Sequence, residues 1–298
     1  MINGIIVIHK EKDFTSHDVV AKMRGICGQK KIGHTGTLDP AATGVLPVCL
    51  GSATKLCDML TDKDKEYVAE LLLGVETDTQ DTTGEVLSRK EVEVSEEQVR
   101  LAAESFIGAY NQVPPMYSAL KVNGKKLYEL ARAGKEVERV ARPVEILELE
   151  ILRINLPVVE MRVVCSKGTY IRTLCADIGE KLGCGGTMQS LKRTRVGGFS
   201  LENALTLGEL QVKKDAGALE TVVIPVDEVF AEYPVLHVRE EFRKLIDNGN
   251  SFFPNQTVEK KRYGVSEWVR VYRDDNSFVG IYAYEESRKW YKPVKMFL

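Results

Sequence analysis

The segment Gly33-His34-Thr35-Gly36-Thr37-Leu38-Asp39-Pro40-Ala41-Ala42-Thr43-Gly44-Val45-Leu46-Pro47 holds three glycines, three threonines, two prolines and a single carboxylate. An Asp-Pro pair most often does no more than open a turn, because proline presets φ at the second position. Three features weigh against that plain reading. The glycines let backbone approach a bound group closely, the flanking apolar residues would stiffen the loop, and His34 accompanies the only carboxylate. Rigid loops on a scaffold are where catalytic side chains concentrate. Composition carries the reading no further than a stiff loop bearing Asp39 and an imidazole.

The order of residues carries it further. Gly-His-Thr-Gly-Thr-Leu-Asp-Pro-x-Ala-Thr-Gly-Val-Leu-Pro resembles the catalytic loop of the TruB family of pseudouridine synthases. Other segments agree in order and spacing: Lys65-Glu66-Tyr67, Gly74-Val75-Glu76-Thr77-Asp78-Thr79-Gln80-Asp81-Thr82-Thr83-Gly84, Ser166-Lys167-Gly168-Thr169-Tyr170-Ile171-Arg172-Thr173-Leu174 and Leu191-Lys192-Arg193-Thr194-Arg195-Val196-Gly197-Gly198-Phe199. The resemblance spans residues 4 to about 230. It implies catalysis by Asp39, with Tyr67 stacking on the target base and Arg172 as the active-site arginine. It further places His34, Lys10, Tyr170 and Arg193 against the RNA. One departure stands at the first strand, where the family usually has Asp-Lys-Pro and this chain has His9-Lys10-Glu11. The implied reaction is the conversion of uridine to pseudouridine at position 55 in the T loop of tRNA.

These residue types suit that chemistry. The N1–C1′ bond of uridine breaks, the uracil turns, and C5 bonds to C1′. A carboxylate can act as nucleophile at C6 or at C1′, or can assist a glycal-forming route. An arginine pairs with it in a planar, bidentate geometry and stays charged. Tyrosine offers a stacking face, and a hydroxyl near the proton lost from C5. The reaction is redox-neutral, so no cofactor is expected. No His/Cys grouping has zinc spacing, so no metal is expected either. A glycosidase would need a second carboxylate at defined separation; Asp78 and Asp81 are conceivable, but their Thr-Asp-Thr setting reads as turn chemistry. A non-catalytic RNA binder would have no need of Asp39, Tyr67 and Arg172 together.

A uridine within a folded loop must be flipped out, at a cost of a few kcal/mol, and RNA contacts must supply the compensation. Residues 119–142 hold seven basic residues (among them Lys125, Lys126, Arg132 and Arg139) against three glutamates, and residues 161–198 hold seven against two acids. Charge runs are usually solvated faces. In a chain of 41 basic and 43 acidic residues, net −2, two positive stretches imply an uneven surface that favours RNA. The first stretch follows Pro114-Pro115-Met116-Tyr117-Ser118-Ala119-Leu120-Lys121 and resembles the family's flexible thumb, which closes on the T stem-loop. With no basic tail, the chain reads as the stand-alone form, free of a guide RNA, and as a monomer.

The elements that position these residues read as follows. Strands are expected at 4–9, 65–73, 145–154 and 158–165, and helices at 16–27, 52–61, 96–106 and 170–182. Ser95-Glu96-Glu97-Gln98 resembles a capping box. Stretches 30–50 and 108–143 fit no regular pattern. Such mixed order predicts an α+β catalytic domain over a central mixed, largely antiparallel sheet, covering 1–230, with an RNA-clamping insertion at about 108–143. After Pro225 and Pro234 the pattern becomes one helix (240–248) and short strands at 268–273, 278–284 and 289–296. Residues 231–298 are therefore expected to form a small β-barrel-like module, resembling the RNA-binding PUA module. At 298 residues two domains are the natural prior. Six unpaired-looking cysteines and an opening segment that reads as a buried strand point to the cytoplasm, and no stretch approaches the ~18 apolar residues of a membrane span.

Overall fold

The computed structural model describes residues 1–122 and 124–298. Its first part runs β1 (Gly4–Lys10), α1 (Ser16–Cys27), β2 (Ile32–His34), β3 (Thr43–Leu50), α2 (Cys57–Thr61), β4 (Lys65–Leu73), β5 (Val75–Thr77), β6 (Val86–Arg89), α3 (Glu96–Glu104) and β7 (Gly108–Gln112). It continues through β8 (Lys121–Val122), β9 (Lys125–Lys126), α4 (Leu127–Arg132), β10 (Arg142–Asn155), β11 (Val158–Cys165), α5 (Ile171–Lys181), β12 (Gly186–Val196), β13 (Phe199–Ser200) and α6 (Leu207–Asp215). The tail holds β14 (Val235–His237), α7 (Arg243–Asp247), β15 (Trp268–Tyr272), β16 (Phe278–Glu285) and β17 (Trp290–Met296).

The main sheet has the strand order β1-β3-β12-β4-β11-β10-β7, with β2 added to β3 and β13 to β12. Only β12 against β3 is parallel, so the sheet is mixed and largely antiparallel, as the sequence predicts. Burial explains the two kinds of strand. Along β4 every second residue is buried, from Lys65 through Tyr67 to Leu73, because one face meets α3 and α5 and the other carries Glu66 and Glu70. Ile5-Ile6-Val7-Ile8 shows no alternation because both faces are covered. Ile6 and Ile8 pack under α1 and α6, while Ile5 meets Phe230, Ile281 and Phe297.

The tail is therefore seated on the outer face of β1 and β3. Its strands form an open four-stranded sheet, β14-β15-β16-β17, where a barrel-like module was expected. Among the described residues no closed barrel forms. Its first strand is only three residues long, and Phe252 lies alongside Tyr291 of β17 through two backbone bonds of 3.1 and 2.7 Å without extending into a further strand.

Two other expectations change. The stretch 30–50 contains β2 and β3, joined by the loop that bears Asp39. The central strand β12 was not foreseen at all. Its inward side presents Leu191 and the fully buried Arg193, and irregularities near residues 188–190 and 193–195 break its alternation. The insertion leaves the sheet after Gln112 and returns at Arg142, its register partner. It contains the β8–β9 hairpin and α4.

Candidate active site

The loop 35–42 connects two paired strands, and its backbone is clamped on both sides of Asp39. Thr15 caps α1 in a reciprocal box with Asp18, which puts Ser16 at the helix start. The Ser16 hydroxyl accepts the Leu38 N–H at 2.9 Å, and the Leu38 side chain is buried. After Asp39, the Pro40 carbonyl accepts from the Asp13 N–H at 2.9 Å and from Lys10 Nζ at 3.1 Å. The Ala42 N–H closes on the Asp39 carbonyl at 3.1 Å, so the Asp-Pro pair does open a turn and also presents a carboxylate.

Lys10 and Arg193, expected against the RNA, are both buried in the fold. Lys10 is fully buried and its ammonium also donates to the carbonyls of Phe14 at 2.6 Å and Glu11 at 3.1 Å. Burial draws it down to about 8, against the opposing attraction of Asp39. Arg193, 1% exposed, donates from Nε to the Val45 carbonyl at 2.8 Å and from Nη2 to Gly36 at 3.2 Å. Its strand passes so close to Gly44 (φ +109°) that a Cβ there would stand 2.1 Å from the Arg193 carbonyl oxygen. Only glycine allows this approach. Both cations hold the loop from within; the Glu11 departure leaves that hold in place because Glu11 serves through its carbonyl.

Arg172 stands in the first turn of α5, its side chain 5% exposed. Nε meets Asp39 Oδ2 at 3.0 Å and Nη2 reaches Oδ1 at 3.4 Å, the side-on fork that fixes a carboxylate's plane. Nη1 also donates to the Thr79 carbonyl at 3.0 Å and Nη2 to the Tyr117 carbonyl at 2.9 Å. Asp39 itself is 40% exposed. The result is a solvent-facing carboxylate locked by a buried guanidinium. Asp78 and Asp81 behave as turn residues: Asp81 Oδ1 accepts from Thr79, the Thr83 N–H and the Thr83 hydroxyl, and Asp78 Oδ1 accepts the Glu85 N–H.

Tyr67 lies one register step across from Arg193 and packs with Leu38 and Ala42 under the loop. Burial pushes its phenol up, with the Arg193 guanidinium opposing. His34 sits at the loop entrance with its ring edge-on to His17 at 5.4 Å. Its Nδ1 is buried without a partner. Burial, then His17 and Arg193, lower its basicity, so it is a neutral ring at pH 7. Tyr170 is half-buried at the N-cap of α5. Lys125, Lys126 and Arg132 lie apart from Asp39 on the insertion, where Lys126 Nζ is 5.3 Å and the Arg132 guanidinium 5.4 Å from the Tyr128 ring centre. The sequence reading did not single out Ser16 or the Thr79 and Tyr117 carbonyls; only the Thr15-x-x-Asp18 capping pattern marks the first.

Sequence models place this architecture in a class. The one described as TruB family pseudouridylate synthase (N terminal domain) matches residues 24–171, and tRNA pseudouridylate synthase B C-terminal domain matches 172–231. The chain is thus a pseudouridine synthase, an isomerase. It is 54% identical to tRNA pseudouridine synthase B of Lachnoclostridium phytofermentans over the whole of both chains, and 43% identical to that of Clostridium tetani over 99% of each. The chain belongs to the TruB family. Among solved structures, the crystal structure of a Cbf5-Nop10-Gar1 complex is similar with a TM-score of 0.74 at 26% identity, covering 99% of this chain and 85% of that one.

Proposed function

We propose that the chain converts uridine to pseudouridine in the T loop of tRNA, at position 55, with Asp39 as the catalytic carboxylate. The observation that carries this reading is the pair Asp39–Arg172: an exposed carboxylate on a doubly clamped loop, oriented through Nε at 3.0 Å by an arginine that water scarcely reaches. Full-length similarity to bacterial enzymes named tRNA pseudouridine synthase B supports tRNA as the substrate. The reaction conserves every atom: N1 gives up C1′ and gains a proton, while C5 loses a proton and bonds to C1′. The reaction is redox-neutral and calls for no cofactor.

In this reading the uridine is flipped from its stack onto Tyr67, at a cost of a few kcal/mol that RNA contacts offset. His34, neutral and edge-on to His17 beside the loop, lies against the refolded RNA. Tyr170 borders the same opening. Lys125, Lys126 and Arg132, with Tyr128 between the last two, form the clamp on the T stem-loop; a cation pair around an aromatic ring suits both phosphate and base. Residues 1–230 act as the catalytic unit and 231–298 as a further RNA-binding unit. The proposed enzyme works as a cytoplasmic monomer without a guide RNA. Among the described residues no helix is long and apolar enough to cross a membrane.

The test is incubation of the protein with unmodified T stem-loop RNA, without guide or cofactor, followed by mapping of pseudouridine through carbodiimide-dependent primer stops. Wild type should yield a stop at the T-loop uridine. Asp39→Asn, nearly isosteric but without an anionic nucleophile, should yield none while still binding RNA. Turnover by that variant, or modification only when a guide RNA is added, refutes the reading.

A further inference from the structure

The insertion and the catalytic arginine are joined by bonds that the reaction itself does not require. Gln112 is the last residue of β7, at the root of the insertion, and is 2% exposed. Its amide engages a single residue from both ends: Oε1 accepts the Tyr170 N–H at 2.8 Å and Nε2 donates to the Tyr170 carbonyl at 2.9 Å. Tyr170 is the N-cap of α5, and its own side chain makes no capping bond. The Tyr170 carbonyl also receives the Leu174 N–H at 3.1 Å, the bond that closes the first helical turn. Arg172 lies within that turn. Five residues beyond Gln112, the Tyr117 carbonyl takes Arg172 Nη2 at 2.9 Å, and the Tyr117 hydroxyl reaches Asp78 at 3.3 Å. Two residues before it, the Tyr110 hydroxyl bonds Asp177 of the same helix.

A reciprocal side-chain amide fixes the two peptide groups that flank Tyr170, as a strand neighbour would, by holding the Tyr170 N–H and carbonyl together. The direction of the first turn of α5, and with it the angle at which the Arg172 fork meets Asp39, follows from those peptides. We infer that Gln112 is a positioning residue for catalysis: it sets the Arg172–Asp39 geometry from the root of the RNA-clamping insertion, so that the placement of the insertion and the alignment of the carboxylate are one structural variable. The inference rests on the proposed role of Arg172. Misplacement of a catalytic group by about 1 Å is enough to slow a reaction on the order of a hundredfold.

The experiment measures single-turnover rates and RNA affinity for the full chain and four variants. Gln112→Met keeps the length of the side chain and removes both bonds. It should slow the chemical step about tenfold or more while changing RNA affinity less than about threefold. Gln112→Glu keeps the acceptor for the Tyr170 N–H but sets an oxygen against the Tyr170 carbonyl, and should slow the step by a comparable factor. Arg172→Lys alone establishes whether the arginine matters. In the double variant Gln112→Met with Arg172→Lys the two losses should not multiply, because the first acts through the second. Wild-type rates for either folded Gln112 variant beside an impaired Arg172→Lys overturn the inference and leave the role of Arg172 intact. Multiplying losses, or Gln112 variants that merely unfold, assign Gln112 to general stability and also overturn it. A normal Arg172→Lys removes the reading on which it rests.

Discussion

Replacing Arg172 by lysine keeps one positive charge at the site and removes a shape. In the native fork Nε and Nη2 hold Asp39 at 3.0 and 3.4 Å, while Nη1 and Nη2 also serve the Thr79 and Tyr117 carbonyls at 3.0 and 2.9 Å. A single ammonium cannot reach three groups spread around a planar fork. If it follows the charge to Asp39, the two carbonyls lose their donors at a position where the side chain is only 5% exposed. Each unpaired buried acceptor costs about 1–3 kcal/mol. Allowing for partial rewetting at the open side, the fold should lose about 2 kcal/mol, a fall in melting temperature of several degrees.

The kinetic effect follows from the second bond to the carboxylate. A hydrogen bond to a charged group contributes about 1.5–3 kcal/mol, and each 1.36 kcal/mol is tenfold in rate, so the chemical step should slow by about 10- to 150-fold. The assay is single-turnover conversion of T stem-loop RNA at saturating enzyme, with thermal melts run on the same preparations. A rate within about twofold of wild type would mean that Asp39 is oriented by its backbone clamps alone. The fork would then be structural.

Three further outcomes check other parts of the site. Tyr67→Phe keeps the stacking face and should bind RNA normally but turn over far more slowly, with the melting temperature little changed; a silent Phe variant beside a destabilised Tyr67→Leu would reduce Tyr67 to core packing under Leu38 and Ala42. Replacing Lys125, Lys126, Arg132 and Arg139 by Gln should weaken T-arm RNA binding and flatten its salt dependence, since each phosphate contact contributes about −0.7 to −0.9 to the slope of log affinity against log salt; an unchanged slope and affinity sink the clamp. Burial draws Lys10 down to about 8 in the fold from the ordinary 10.5 of the open chain. Between those values the unfolded state binds more protons, so this residue makes stability rise with pH there, by up to about 1.4 kcal/mol per pH unit, and its penalty is constant below pH 8. Denaturant titrations from pH 7 to 10.5 should show that slope in wild type and a shallower one in Lys10→Met; parallel curves would show that the ammonium keeps its ordinary basicity.

The pairing of Asp39 with Arg172 was legible in the chain only through ordered motifs, because 133 positions separate the two and no local pattern reports a contact at that range. Strands such as β4 were legible from their richness in Val and Leu. The strand β12 was not, for a physical reason: its inward row includes Arg193, and a charged residue at a core position looks like surface to any hydrophobicity reading. Lys10 and Arg193 were expected against RNA on the resemblance, and a composition reading had no means of showing either as buried. A lysine or arginine is almost never buried unless paired, so exposure is the sound prior. Here the partners are backbone carbonyls, which the identity of the neighbouring side chains does not announce.

Those buried cations explain why the loop's residue types are so restricted. A loop that must present a carboxylate to solvent cannot hold itself by burying that residue, so its rigidity has to come from the backbone on either side. Lys10 takes the Pro40 carbonyl after Asp39, and Ser16 takes the Leu38 N–H before it. Arg193 takes the carbonyls of Gly36 and Val45, one on each side of Asp39. The Pro40 carbonyl also takes the Asp13 N–H, and a buried acceptor left without a donor costs about as much as a lost hydrogen bond. The cations thus help satisfy carbonyls that the turn directs into the core, and in doing so fix the loop whose carboxylate Arg172 meets. Gly44 belongs to the same construction, because the Arg193 backbone can lie against β3 only where no Cβ intervenes. On the proposed role of Asp39, the geometry of the carboxylate and the local folding are set by one group of bonds, and a change to any of these residues should register both in the melt and in the chemical step.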